Sequence, residues 1–177
     1  IDYVKSVVLS LPEETVVAAS TANLSADYDN GTVGVGATLT NNSTQAAFAT
    51  DGQTPSSGDR ILIKDQTAAL QNGVYEVTTV GDGSSNWILT RNTDADTTNE
   101  MVVDKFVWVS AGTTNGSKGF SCSAAGTIGT DSISFVQTST AVRAEVLVSD
   151  ATDGTGTVSN GTVHCASPPS AMCIGDA

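Results

Sequence analysis

Gly58-Asp-Arg-Ile-Leu-Ile-Lys-Asp-Gln66, followed by Gln71-Asn-Gly-Val-Tyr-Glu-Val77, decides the fold class. Ile61-Leu-Ile63 is a compact apolar strand. Gln71-Asn-Gly73 is a turn, because Asn-Gly readily supplies the positive φ that a tight reversal needs. Val74-Tyr-Glu-Val77 begins the next strand. Moving toward the C-terminus, Gly81-Asp-Gly83 breaks the chain and Trp87-Ile-Leu-Thr90 forms a further strand. Met101 to Ser110 is the longest strand candidate. Val103, Lys105, Val107 and Val109 share one parity, and Val102, Phe106 and Trp108 share the other. Both faces are largely apolar, so this strand is expected to be central and covered on both sides. Asn115-Gly116 turns the chain into Gly119-Phe-Ser-Cys-Ser123, and Ser132–Thr138 and Val142–Val148 are two more strands.

Toward the N-terminus, Asp27-Tyr-Asp-Asn-Gly31 is a turn cluster. Thr32 to Thr40 alternates Val33, Val35, Ala37 and Leu39 with smaller or polar residues, a period-2 strand with one buried face. Asn41 to Ser57 reads as a polar loop that Ala47-Phe48-Ala49 can anchor. Thr15 to Ser20 is a short strand. In Ile1 to Leu11, Val4, Val7, Val8 and Leu11 fit one helix face, and the Val-Val pair also permits a strand. This segment is an arm closed by Pro12. Short strands punctuated by turns predict an all-β domain, an antiparallel β-sandwich or barrel-like body. Residues 1–15 form an N-terminal arm, 16–148 the body, and 149–177 a Gly/Ser/Thr-rich C-terminal extension whose anchors are Val158, Val163 and Met172.

Composition agrees with that class. The chain has 177 residues, 39% of them hydrophobic and only 15% charged, which suits one domain with a modest core. Val and Thr, both abundant, fit a pleated, half-buried surface. The net charge of −12, from 19 acidic and 7 basic side chains, repels a polyanion. With no Lys/Arg stripe to offset that repulsion, no nucleic-acid partner is expected. No apolar run approaches the ~20 residues that span a bilayer, so no membrane insertion is expected. No signal peptide is visible either, and because the chain begins at Ile1 and not at Met, an upstream piece is expected.

Reaction chemistry is harder to find. His164 is the only histidine, so a Ser–His–acid triad would have to use it. It stands in a sparse tail beside Cys165, and neighbours on a strand point to opposite faces. Of the three cysteines, Cys165 and Cys173 are close enough in sequence to clip the tail, and Cys122 reads as a small packed residue. His164, Cys165 and Cys173 are a thin set for zinc. Asp94, Asp96, Glu100 and Asp104 cluster near one loop and raise the question of a glycosidase-like carboxylate pair. Asp94-Ala-Asp96-Thr-Thr-Asn-Glu100 also has the alternating oxygens that calcium needs, but lacks the glycine turn and closing Glu of an EF-hand loop. Asp side chains bonding their own turn account for the same pattern. Asn23, Asn30, Asn41, Asn42, Asn115 and Asn160 each open a glycosylation sequon, a match that Asn/Ser/Thr-rich chains produce by chance. No catalytic residue, cofactor site or metal site is therefore assigned. Arg60, Lys64 and Arg91 are scarce cations, each expected to pair with a nearby carboxylate. Asp59 and Asp65 flank a strand and can cap turns. Trp87, Trp108, Tyr75 and Phe106 are expected to supply most of the aromatic core.

The order of these signals resembles a module of bacteriophage tail and virion proteins. The matching stretches are Val17-Ala-Ala-Ser-Thr-Ala-Asn23-Leu24, Gly58 to Gln66, Asn72 to Tyr75, Trp87 to Asp96, Val107 to Thr114 and Gly119-Phe120, roughly two-thirds of the chain. Asn41 to Ser57 and the Cys-containing tail after Val148 depart from the pattern. The resemblance implies a non-enzymatic virion structural component at the particle surface or tail. It would be a tail fibre, tail-tip or appendage piece, or alternatively a capsid decoration protein or a glycan- or receptor-binding adhesin module. Its implied partners are copies of itself in a homotrimer, other virion proteins, and in the adhesin version a host surface glycan or receptor. It carries no cofactor and no catalytic residue over to this sequence.

Overall fold

The alternating runs on either side of Ile61 pair into sheets through loops, such as Lys64 to Asn72 between the strands at Ile61 and Val74. A computed structural model describes residues 13–138, 157–159 and 162–164. The strands, in chain order, are β1 (Glu13–Val16), β2 (Ala18–Ala19), β3 (Ala26–Asp29), β4 (Thr38–Asn41), β5 (Arg60–Ile63), β6 (Gly73–Thr79), β7 (Ile88–Arg91), β8 (Phe106–Val109), β9 (Lys118–Ala124), β10 (Ser134–Thr138), β11 (Thr157–Ser159) and β12 (Thr162–His164). A single 3-10 turn, Ala69–Gln71, is the helical element among the described residues.

The chain divides into two units, Ile1–Thr140 and Ala141–Ala177. In the second, β11 and β12 form an antiparallel hairpin. The first is a β-sandwich-like body of two sheets. One has the order β1-β8-β9-β10 and the other β2-β5-β6-β7-β4-β3. Most pairs are antiparallel, as expected, but each sheet is mixed. β1 runs parallel to β8, and β2 runs parallel to β5. Both parallel pairs come from one stretch, Glu13 to Ala19, which passes from one sheet to the other at Val17. The Val17 amide donates to Arg60 O at 2.8 Å, and its carbonyl accepts from the Ala111 amide at 2.9 Å. β1 thus begins at Glu13 and takes in residues counted above with the arm.

The pleat explains where the two cores lie. One lies between the sheets and gathers Val16, Leu62, Val74, Val107, Val109, Phe120 and Cys122, with Ala95, Met101, Ile128 and Ile133 from loops. The other lies on the opposite face of the six-stranded sheet and holds Leu39, Ile61, Ile63, Tyr75, Val77 and Leu89. Phe48, from the polar loop, closes this second core edge-on against Trp87, with ring centroids 5.1 Å apart. That loop is anchored as expected. β2, β5 and β6 contribute to both cores, so the strands covered on both faces are these three.

Several expectations need correction. Met101 to Ser110 is not one long strand, because only Phe106–Val109 pairs. Val102 and Val103 lie exposed in a turn, and Asp104 has φ +69. β8 is central in its sheet, but only Val107 and Val109 are buried. Phe106 and Trp108 point to the outer face, half-buried and outside both cores, so the aromatic core is Tyr75, Phe48, Trp87 and Phe120. Thr32 to Val35 is not strand either. Gly31, Gly34 and Gly36 all have positive φ, and Val33 follows them at +53. That conformation breaks a pleat and is costly for a β-branched residue. The predicted arm, Ile1 to Leu11, and the predicted strand Val142–Val148 lie outside the described residues.

Candidate functional site

The motif residues singled out in the sequence meet in one region around β5, β6 and β7. Asn72 donates to Ile133 O at 2.9 Å and accepts from the Gln66 amide at 2.9 Å. Gln66 accepts from the Leu24 amide at 2.7 Å. Asp65 accepts from the Ser20 hydroxyl at 2.8 Å and from the Lys64 ammonium at 2.9 Å. Asp59 caps its own turn through the Ser56 amide at 2.7 Å. Each polar side chain here ties one loop to another or closes its own turn.

Arg91 departs from expectation. It has no carboxylate in contact. Its guanidinium donates to Asn72 O at 2.9 Å, Leu70 O at 3.1 Å and Tyr75 Oη at 3.0 Å, and lies 5.0 Å from the Tyr75 ring centroid. The residue is 1% exposed. Tyr75 donates onward to Gln71 O at 2.7 Å, and burial pushes its phenol well above the usual range. Gly73 makes room for this arrangement, since a Cβ there would run into Arg91 Nη1.

Lys64 pairs with its neighbour Asp65, as expected of a local pair, whereas Arg60 pairs with the distant Glu14 and Asp94. Lys105 joins them without any local signal in the sequence. Its ammonium donates to Asp94 O at 2.9 Å and lies 3.0 Å from Glu14 Oε2, off the direction of a hydrogen bond. Glu14 and Lys105 are both buried. Glu14, Arg60, Asp94 and Lys105 thus form a neutral four-membered cluster.

The four carboxylates proposed as a reactive group separate. Asp94 belongs to the Arg60 cluster, and Asp104 stands exposed in its turn. Asp96 and Glu100 do come together. Glu100 accepts from the Thr97 hydroxyl at 2.8 Å and the Thr97 amide at 3.1 Å. These bonds, the hydroxyl foremost, hold its carboxyl below the usual range. Burial, then the Glu100 charge and a hydrogen bond to Glu100, hold Asp96 above it, against the Gly36 amide and Arg91. The loop oxygens therefore bond their own turn. Among the described residues, no three His, Cys, Asp or Glu side chains converge as metal ligands.

The Asp96 shift has a definite sign. A carboxyl raised in the folded state contributes stability below its unfolded value that is lost as pH rises through the folded value. Asp96→Asn retains an acceptor for the Gly36 amide and removes the charge facing Glu100. It is expected to raise Tm at pH 7, by less than about 1 kcal/mol in stability, and to leave it unchanged near pH 3. Scanning calorimetry at the two pH values checks this, and a lower Tm at pH 7 would contradict it.

Cys122 packs in the core between the sheets, as expected, and burial pushes its thiol up, with the Asp104 charge adding to the effect. Such a thiol is a poor nucleophile. Cys165 and Cys173 lie outside the described residues, and His164 is described only as the end of β12. Comparison with protein-family models, with curated proteins and with solved structures found no match.

Proposed function

We propose that this chain is a non-enzymatic structural protein of a bacteriophage virion, a tail fibre, tail-tip or surface-appendage component. It works by assembling with copies of itself, as a homotrimer, and with other virion proteins. One observation carries the reading. The polar residues of the phage-like stretches, Ser20, Asp59, Arg60, Lys64, Asp65, Gln66, Asn72 and Arg91, are engaged in internal bonds, most of them from one loop to another. Residues engaged in this way support a stiff body that presents surfaces, and a stiff body loses little entropy when it assembles.

Light scattering on the purified full chain tests the assembly. Three chains per particle are expected at micromolar concentration, with a Tm that rises with concentration as mass action requires. A single chain at every concentration, with a constant Tm, would overturn it. Antibodies against the chain that label purified particles at the tail or at the capsid surface would decide between an appendage and a capsid decoration protein.

A further inference from the structure

A tight turn in the polar loop grips the loop between β8 and β9. Thr50 and Gln53 exchange both backbone bonds, at 3.0 and 2.9 Å, and Asp51 and Gly52 between them have φ +50 and +74. Two successive residues at positive φ close a tight reversal, and Asp and Asn accept that conformation more readily than most side chains. The turn holds the Asp51 side chain against the other loop. Its two carboxylate oxygens accept from the Thr114 and Asn115 amides, each at 2.7 Å. The Asp51 carbonyl accepts from the Thr113 amide at 2.9 Å.

Both sides are shaped for this close approach. A Cβ on Gly112 would run into the Asp51 carboxylate, and one on Gly52 into the Thr113 hydroxyl. Asn115 carries the grip inward, because its buried side chain donates to Ser20 O at 3.0 Å. Asp51 itself is only half-buried, so protons reach it. Among the described residues, Lys118 on β9 is the charged group that acts on it. Burial pushes the Asp51 carboxyl up, but the Asn115 and Thr114 amides, the Thr114 hydroxyl and the Lys118 charge outweigh it and hold the group below the usual range. A carboxyl lowered in the folded state contributes stability above its unfolded value, and that contribution is lost as pH falls through the folded value. Protonation also turns one oxygen into a donor, which opposes an amide N–H.

We propose that Asp51 is an acid-operated clasp, which pins the β8–β9 loop to the polar loop while it is charged and lets the two part when it is protonated, with the rest of the body still folded. Phe48, in the same loop, keeps its own bond to Val80 O at 2.7 Å, so the opening is confined to the turn at Asp51 and to Thr113, Thr114 and Asn115.

Amide-resolved hydrogen exchange of the full chain tests this, with protection corrected for the intrinsic rate at each pH. In the wild type, the Thr114 and Asn115 amides are expected to lose protection on the order of tenfold between about pH 6 and about pH 2. Phe48 and the β6 amides are expected to keep theirs. Asp51→Asn retains the turn and one acceptor oxygen but points a donor at the second amide, so it is expected to show the loss already near pH 6, with no further step in acid. Lys118→Met is expected to move the wild-type step to higher pH, because a cation that favours the charged carboxyl is gone. Wild-type Thr114 and Asn115 amides that stay protected near pH 2 would overturn the clasp, as would an Asp51→Asn chain with wild-type protection at both near pH 6. Loss of protection at Phe48 and across β6 in step with Thr114 would overturn it too, since acid would then be unfolding the body.

Discussion

Arg91→Ala is expected to destabilise the body by about 4 kcal/mol, lowering Tm by roughly 10 °C. The reason is accounting of hydrogen bonds more than charge. Truncation leaves the buried Asn72 O and the partly buried Leu70 O without their donor and opens a cavity beneath the Tyr75 ring. Each buried acceptor left unmade costs about 1–3 kcal/mol. Arg91→Lys keeps the charge but loses the planar fork that reaches both carbonyls and the phenol together, so it is expected to recover less than half of the loss. Urea unfolding of the three proteins checks this. A loss below about 1 kcal/mol in Arg91→Ala would show that the carbonyls find other donors.

Glu14→Gln is the second large effect. It leaves Arg60 and Lys105 facing Asp94 alone, one positive charge in excess in a mostly buried setting. Breaking a buried pair by removing one partner costs about 3–5 kcal/mol, mainly because the other charge is left uncompensated. Adding Lys105→Met to Glu14→Gln restores neutrality and is expected to recover at least half of the loss. A double-mutant cycle measured in urea reads that coupling directly. Strictly additive losses would mean that the two side chains do not interact.

The parts of this fold that were legible in the sequence are those whose cause is local. Ile61-Leu-Ile63 and Val74 to Val77 pair as antiparallel strands, although the loop Lys64 to Asn72, with its 3-10 turn, joins them and Gly73 already belongs to β6. Phe48 stood out as the large apolar side chain of a polar loop. Met101 to Ser110 misled because Val102 and Val103 look like strand residues, while Asp104, at positive φ, ends the pleat before Lys105. Val33 and Val35 misled in the same way, because glycines at positive φ turn that stretch out of the sheet.

Long-range partners were not legible. Nothing near Glu14 in sequence announces Arg60, 46 positions away, or Lys105 beyond it. For Arg91, scarcity of cations suggested a carboxylate, and the fold supplied carbonyls and a phenol. The outward position of Trp108 depends on which face β8 buries, and with both parities apolar the period-2 pattern could not choose.

The strap at Val17 bears on how the body is made. β1 and β2 pair in parallel with strands synthesised much later, and the bond from Ser110 to Val16 O spans 94 positions. Antiparallel neighbours such as β5 and β6 can zip as soon as their turn leaves the ribosome, whereas β1 has no partner until β8 exists. Closing so long a loop is entropically costly and slow. The first strand among the described residues therefore waits for β8, and its two halves stay unlatched until translation has passed residue 110.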